Sequence, residues 1–187
     1  MKKIATASAI VVFAFVALPT KAQISFLALG AFDVDWEGLA LGAGIEYPVG
    51  LEIGPVGNTA VRPSAEYVFA GGGNAGGAGN YSVFRISGEL VGNLNLGGDS
   101  AFRSSGQPGD SQFEPFVKAG LALERFSFKY DSDVPFIGGT SFSNSEIGLV
   151  IGGGANIQKF FVEGTVGIGN ISVLRIGGGY KFGGGGE

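Results

Sequence analysis

The sequence predicts an all-β protein: an eight-stranded antiparallel up-and-down transmembrane β-barrel with a polar interior. Three observations predict it. Apolar residues recur at every second position in about eight segments after residue 23, which is the period of a strand with two unlike faces. The same region has no unbroken apolar run long enough for a membrane-spanning helix, which needs about 20 residues. Glycine supplies 36 of the 187 residues, far above the usual share of about 7%, with no collagen period.

Residues 1–22 read as a secretory signal peptide. Lys2 and Lys3 open it, an uncharged and mostly apolar run continues to Pro19, and Thr20-Lys21-Ala22 supplies a small-residue cleavage site. Residues 23–187 are then the barrel domain. There is no cysteine, so disulfides, the usual staple of a small exported domain, are excluded. A closed sheet held in a bilayer is an alternative source of stability.

The eight segments follow in order. In 24–36, Phe26, Ala28, Phe32, Val34 and Trp36 share a face with Gly30, against Ser25, Asp33 and Asp35; Leu27 and Leu29 fall on that second face too. In 39–47, Leu39, Leu41, Ala43, Ile45 and Tyr47 oppose Gly42, Gly44 and Glu46. In 59–70, Val61, Ala65, Tyr67 and Phe69 oppose Arg62, Ser64 and Glu66. In 81–96, Phe84, Ile86, Leu90, Leu94 and Leu96 oppose Arg85, Ser87, Glu89, Asn93 and Asn95.

In 113–130, Val117, Ala119, Leu121 and Leu123 oppose Lys118, Gly120 and Glu124. The apolar set then becomes Phe126, Phe128 and Tyr130, which predicts a β-bulge near Glu124-Arg125, because one extra residue reverses the facing. In 142–157, Ile147, Leu149, Ile151 and Ile157 oppose Asn144, Glu146 and Asn156. In 159–169, Phe160, Val162, Val166 and Ile168 oppose Glu163 and Thr165, and in 173–182, Leu174, Ile176, Tyr180 and Phe182 oppose Arg175 and Lys181. Between segments, 71–80, 97–112 and 131–140 are rich in Gly, Ser, Asp, Asn or Pro, and 156–158 and 169–170 suit tight hairpins.

A water-soluble barrel puts the apolar face inside; a transmembrane one puts it against lipid. The polar faces here carry acids and bases in similar number among small residues, which suits a narrow lumen in which every charge needs a partner. Glu66, Arg85, Glu89, Lys118, Glu163 and Arg175 are the predicted lumen network, with Glu66–Arg85 and Glu163–Arg175 as expected pairs. Glycine relieves crowding in such a lumen. Trp36, Tyr47, Tyr67, Phe69, Tyr81, Phe160, Tyr180 and Phe182 sit near segment ends, where interfacial aromatics belong.

Absent residues exclude chemistry. Without histidine there is no Ser-His-Asp triad, and no glycine-rich stretch ends in Gly-Lys-Ser/Thr. Asp33 with Asp35 and Asp131 with Asp133 lack a full calcium-loop spacing and read as solvated loop or lumen acids. The predicted protein is not an enzyme and has no catalytic residue, metal or cofactor. The chain has 12 Lys and Arg against 16 Asp and Glu, a poor balance for neutralising nucleic-acid phosphates.

Four stretches carry a resemblance: EPFVKAGLA at 114–122, IGLVIGGGA at 147–155, FFVEG at 160–164 and IGGGYKF at 176–182. With them the chain resembles the small eight-stranded outer-membrane β-barrels of the OmpX, OmpW and OmpA-barrel type. The resemblance implies an outer-membrane location with both termini periplasmic, and contact with outer-membrane lipid and lipopolysaccharide. It also implies that Tyr180 and Phe182 form the terminal signal read by the outer-membrane assembly machinery. The expected role is structural or surface-interacting, with a filled lumen and a possible partner at loops 71–80 and 131–141, where Val134-Pro135-Phe136-Ile137 gives an apolar tip. A small pore or transporter and a soluble periplasmic lipocalin-like barrel are the alternatives.

Overall fold

The computed structural model describes residues 24–51, 53–70, 79–94, 113–130 and 141–183. The predicted signal peptide at 1–22, the loops at 71–78 and 131–140, the stretch 95–112 and the terminal residues 184–187 lie outside the described residues. Eight strands follow in chain order: β1 Ser25–Asp33, β2 Gly38–Pro48, β3 Val56–Ala70, β4 Gly79–Leu94, β5 Glu114–Tyr130, β6 Ser141–Ile157, β7 Phe160–Gly169 and β8 Leu174–Gly183. Each pairs antiparallel with its neighbours in sequence, and β8 pairs with β1, from Ser25↔Gly183 to Asp33↔Arg175. Over the length that all eight strands share the sheet is closed, so it has no free edge there to pair with another chain.

Alternation fixes the facing, because successive side chains leave a strand on opposite sides. Phe26 and Phe32 on β1, Leu39 and Leu41 on β2, Ile147, Leu149 and Ile151 on β6 and Val162 and Ile168 on β7 are all exposed on the outside. Arg62, Arg85, Lys118 and Arg175 are all buried inside. A water-soluble fold distributes these types the other way round. The inversion decides the class. By fold, the chain is an eight-stranded transmembrane β-barrel with a polar interior.

The phase switch in β5 has a different cause from the bulge expected at Glu124-Arg125. The β4–β5 register runs without a break from Gly79↔Tyr130 to Asn93↔Phe116, and the β5–β6 register likewise. Phe126 keeps inward parity and stacks on Trp36, with ring centroids 5.0 Å apart. Trp36 is also displaced from its expected outward place. β1 ends at Asp33, and the turn at 34–37, where Glu37 takes φ 46°, carries the indole into the barrel mouth. Tyr47, expected at the interface, is buried. Tyr67 and Phe69 near one end of the barrel, and Phe160 and Phe182 near the other, are exposed outside.

Inward glycines make room for large lumen rings. Gly154 is the Cα partner of Phe116, and Gly179 of Phe161. A Cβ at Gly154 would stand 2.9 Å from Phe116 Cζ and would also strike the Val162 carbonyl. Gly154→Val is therefore expected to destabilise the barrel by about 1–3 kcal/mol through overpacking. Its urea midpoint in micelles should fall below that of Gly164→Val, where the Cβ points into open space; equal midpoints would refute the account.

The two ends of the barrel are unlike. β1, β2, β7 and β8 have 9, 11, 10 and 10 residues, whereas β3 to β6 have 15, 16, 17 and 17. The β6–β7 pairing stops at Gly148↔Gly169, while β6 continues against β5 to Ser141. The β3–β4 pairing stops at Phe69↔Ser82, while β4 continues against β5 to Gly79. At the end away from the termini, β4, β5 and β6 thus stand above the rim as a wall.

Candidate functional site

The lumen holds two tiers of charge. In the tier nearer the termini, Arg62 on β3 is the hub. It donates to Glu46 on β2 at 2.6 Å and, across the lumen, to Glu163 on β7 at 2.8 Å. Glu163 also accepts from Lys118 on β5 at 2.6 Å, and Lys118 reaches Glu89 on β4 at 3.1 Å. Lys181 on β8 closes on Glu46 at 2.8 Å. Three bases meet three acids, so the tier is neutral. The Arg62 guanidinium also lies 4.9 Å from the Phe161 ring centroid and 5.4 Å from that of Phe116, within cation–π range. Leu27 and Val91 complete this apolar seal.

In the upper tier Arg175 on β8 makes a two-pronged contact with Glu66 on β3 and lies 3.4 Å from Asp33 on β1. Arg85 on β4 donates to Glu124, its Cα partner on β5, at 2.8 Å. The β7–β8 turn folds over this tier. Ile171 packs on Ala122 and Val150, the Ser172 amide donates to Glu124 at 3.0 Å, and the Ser172 hydroxyl donates to Asp33 at 2.7 Å. Asp35 accepts from the Ser172 hydroxyl and from the amides of Val173 and Leu174, which ties the β1–β2 turn to the β7–β8 turn. Trp36, Phe126, Ala40, Val68 and Val83 fill the rest of this end.

The structure places Glu66, Arg85, Glu89, Lys118, Glu163 and Arg175 inside the barrel, but with other partners than expected. Glu163 pairs with Arg62 and Lys118, not Arg175. Glu66 pairs with Arg175, not with Arg85, which stands directly opposite it in the register. The expected pairs were neighbours on adjacent strands. A narrow lumen also allows long side chains to cross it, so partners on opposite walls compete. Asp33, Glu46, Arg62, Glu124 and Lys181 belong to the same network, and their polar-face parity was the signal that could have added them.

The lumen is also less purely polar than the sequence reading held, because Leu27, Val68, Val83, Val91, Phe116, Val150 and Phe161 are buried there. Between the tiers, a cavity of about 20 Å³ is lined by Glu66, Glu163, Thr165 and Arg175 among others, room for about one water molecule. A lipocalin-like pocket needs an apolar interior, and the charged tiers occupy that space. Tyr180 and Phe182 lie on the outer face of β8 at the terminal end, in an edge-to-face ladder with Phe160.

No family model and no curated protein matches the chain. Solved structures similar to it include Neisserial surface protein A (NspA), at TM-score 0.43 and 13% identity over 87% of this chain and 92% of that one. They also include Ail, the attachment invasion locus protein of Yersinia pestis, at TM-score 0.39 and 13% identity over 86% and 96%, and its backbone structure in a phospholipid bilayer nanodisc, at TM-score 0.39 and 14% identity over 87% and 100%. The fold assignment rests on the barrel's own inverted surface.

Proposed function

We propose that the protein is an integral outer-membrane barrel with a closed lumen, whose role is structural or surface-interacting and is carried by the β4–β6 wall. The wall is the observation behind this reading. Up to the pair Leu123↔Ile147 the outer face of β5 and β6 is apolar; beyond it the outward positions turn polar, with Arg125, Ser143 and Ser145 exposed and Ser127 half-buried. On the other face, Phe142 is 60% exposed and Asn144 is exposed. A sheet wetted on both faces belongs above the bilayer. A protein partner or lipopolysaccharide can be met there. The aromatic end of β8, Tyr180 and Phe182, is the segment we assign to the assembly machinery.

Cysteine labelling on intact cells tests the orientation. Ser145→Cys should react with a membrane-impermeant maleimide, whereas Lys159→Cys, in the turn at the terminal end, should react only after the outer membrane is permeabilised. The reverse pattern would overturn the placement. The small-pore reading is tested in planar bilayers. With ion pairs crossing the lumen and only about 20 Å³ between the tiers, the purified barrel should show no stable conductance steps, and recurrent steps would reject the closed lumen.

A further inference from the structure

Among the described residues, one carboxylate at the mouth of the barrel has no base. Each acid of the two lumen tiers pairs with an arginine or a lysine. Glu146 on β6 shares the inward parity of those acids, yet its carboxylate accepts only from the Asn144 amide, at 2.9 Å. Its Cα partner on β5 is Glu124, which Arg85 already holds. Like charges directly opposite each other on a sheet repel, so a cation over Glu146 would relieve the pair. No described side chain supplies one. Asp35 and Glu37 in the β1–β2 turn add further acid at this end. Arg85 and Arg175 are buried below, held by Glu124, Glu66 and Asp33, and Arg125 is exposed on the outer face.

The inward face of β6 above the rim is open as well as acidic. Pairing with β7 stops at Gly148↔Gly169, and Phe142 and Asn144 are exposed on the face that carries Glu146. The edge beside them is partly capped, because the Ser145 amide donates to the Asn144 side chain at 2.9 Å.

We propose that this face, with Phe142, Asn144 and Glu146, docks an arginine-bearing extended segment of a partner protein. Charge selects the base, since Glu146 lacks one and Glu124 stands beside it. Arginine fits best, because a guanidinium both grips a carboxylate through paired N–H bonds and lies flat on an aromatic ring. Positions 142 and 146 are about 13 Å apart along a strand, so two arginines four residues apart in an extended peptide reach both. The inference rests on the wall as the surface-interacting element and names the chemistry of its partner.

The full barrel in phosphatidylcholine nanodiscs is titrated with two fluorescent peptides, one alternating arginine and serine, the other alternating glutamate and serine, and binding is read by anisotropy. Nanodiscs leave both ends of the barrel open to solution, so the result is independent of orientation. A failure of Ser145→Cys to label on cells would overturn the placement of the wall, whereas a failure here would overturn the docking site. The arginine peptide should bind about tenfold more tightly than the glutamate peptide. Glu146→Gln and Phe142→Ala should each weaken it about threefold. Ser143→Glu, which adds an acid to the outer face of the same strand, should leave it within about twofold. Equal binding of the two peptides, or unchanged binding in Glu146→Gln, would overturn the site. A gain in Ser143→Glu as large as the loss in Glu146→Gln would also overturn it, because attraction would then be general rather than seated on this face.

Discussion

Arg175→Leu should destabilise the barrel by about 3–5 kcal/mol, the cost of removing one partner from a buried ion pair and leaving the other charged. Arg175 is the common partner of Glu66 and Asp33. Without it, Asp33 keeps the Ser172 hydroxyl and the Trp36 amide. Glu66 is left facing the base opposite it in the register, Arg85, which Glu124 already holds. One guanidinium would then face two buried carboxylates. The measurement is urea unfolding in detergent micelles, followed by Trp36 fluorescence and by backbone circular dichroism. Arg175→Leu combined with Glu66→Leu should recover much of the loss, because an apolar pair in place of a buried ion pair is often neutral or stabilising. A single variant within 1 kcal/mol of wild type would mean that water screens the upper tier, contrary to its burial.

The architecture was legible because a strand in this barrel meets lipid on one side and the lumen on the other, so side-chain period 2 appears directly in the sequence. β2, β7 and β8 follow their predicted segments within a residue or two. Reading failed where a residue breaks the alternation for a local reason. Leu27, Phe116 and Phe161 are large and apolar on the polar face, because they plug a lumen narrow enough to be sealed by two rings, a leucine and a guanidinium. Phe126 and Trp36 do the same at the other end, and from sequence alone an inward aromatic cannot be told from a bulge. The ion pairs were illegible for a different reason. Parity puts a charge inside but does not select its partner, and selection depends on which walls face each other across the closed sheet. That is set by the register of all eight pairings together.

Ile151→Arg should cost about 2–4 kcal/mol in a lipid bilayer, the penalty for a cation near the midplane of a barrel's outer face. Ile151 is 47% exposed and points outward from β6, paired between Ala119 on β5 and Val166 on β7. An exposed isoleucine on a water-soluble barrel would accept arginine with a change within about 0.5 kcal/mol, so the substitution separates the two environments. Folding into phosphatidylcholine vesicles, read by heat-modifiable gel mobility and by urea midpoint, supplies the number. Arg125 serves as the internal reference. It already occupies an outward position on β5, beyond Leu123, in the polar part of the wall, so Arg125→Leu should change stability little. If Ile151→Arg folds into vesicles as well as wild type, the apolar face of the barrel does not contact lipid. The fold would then have to hide that face against another protein.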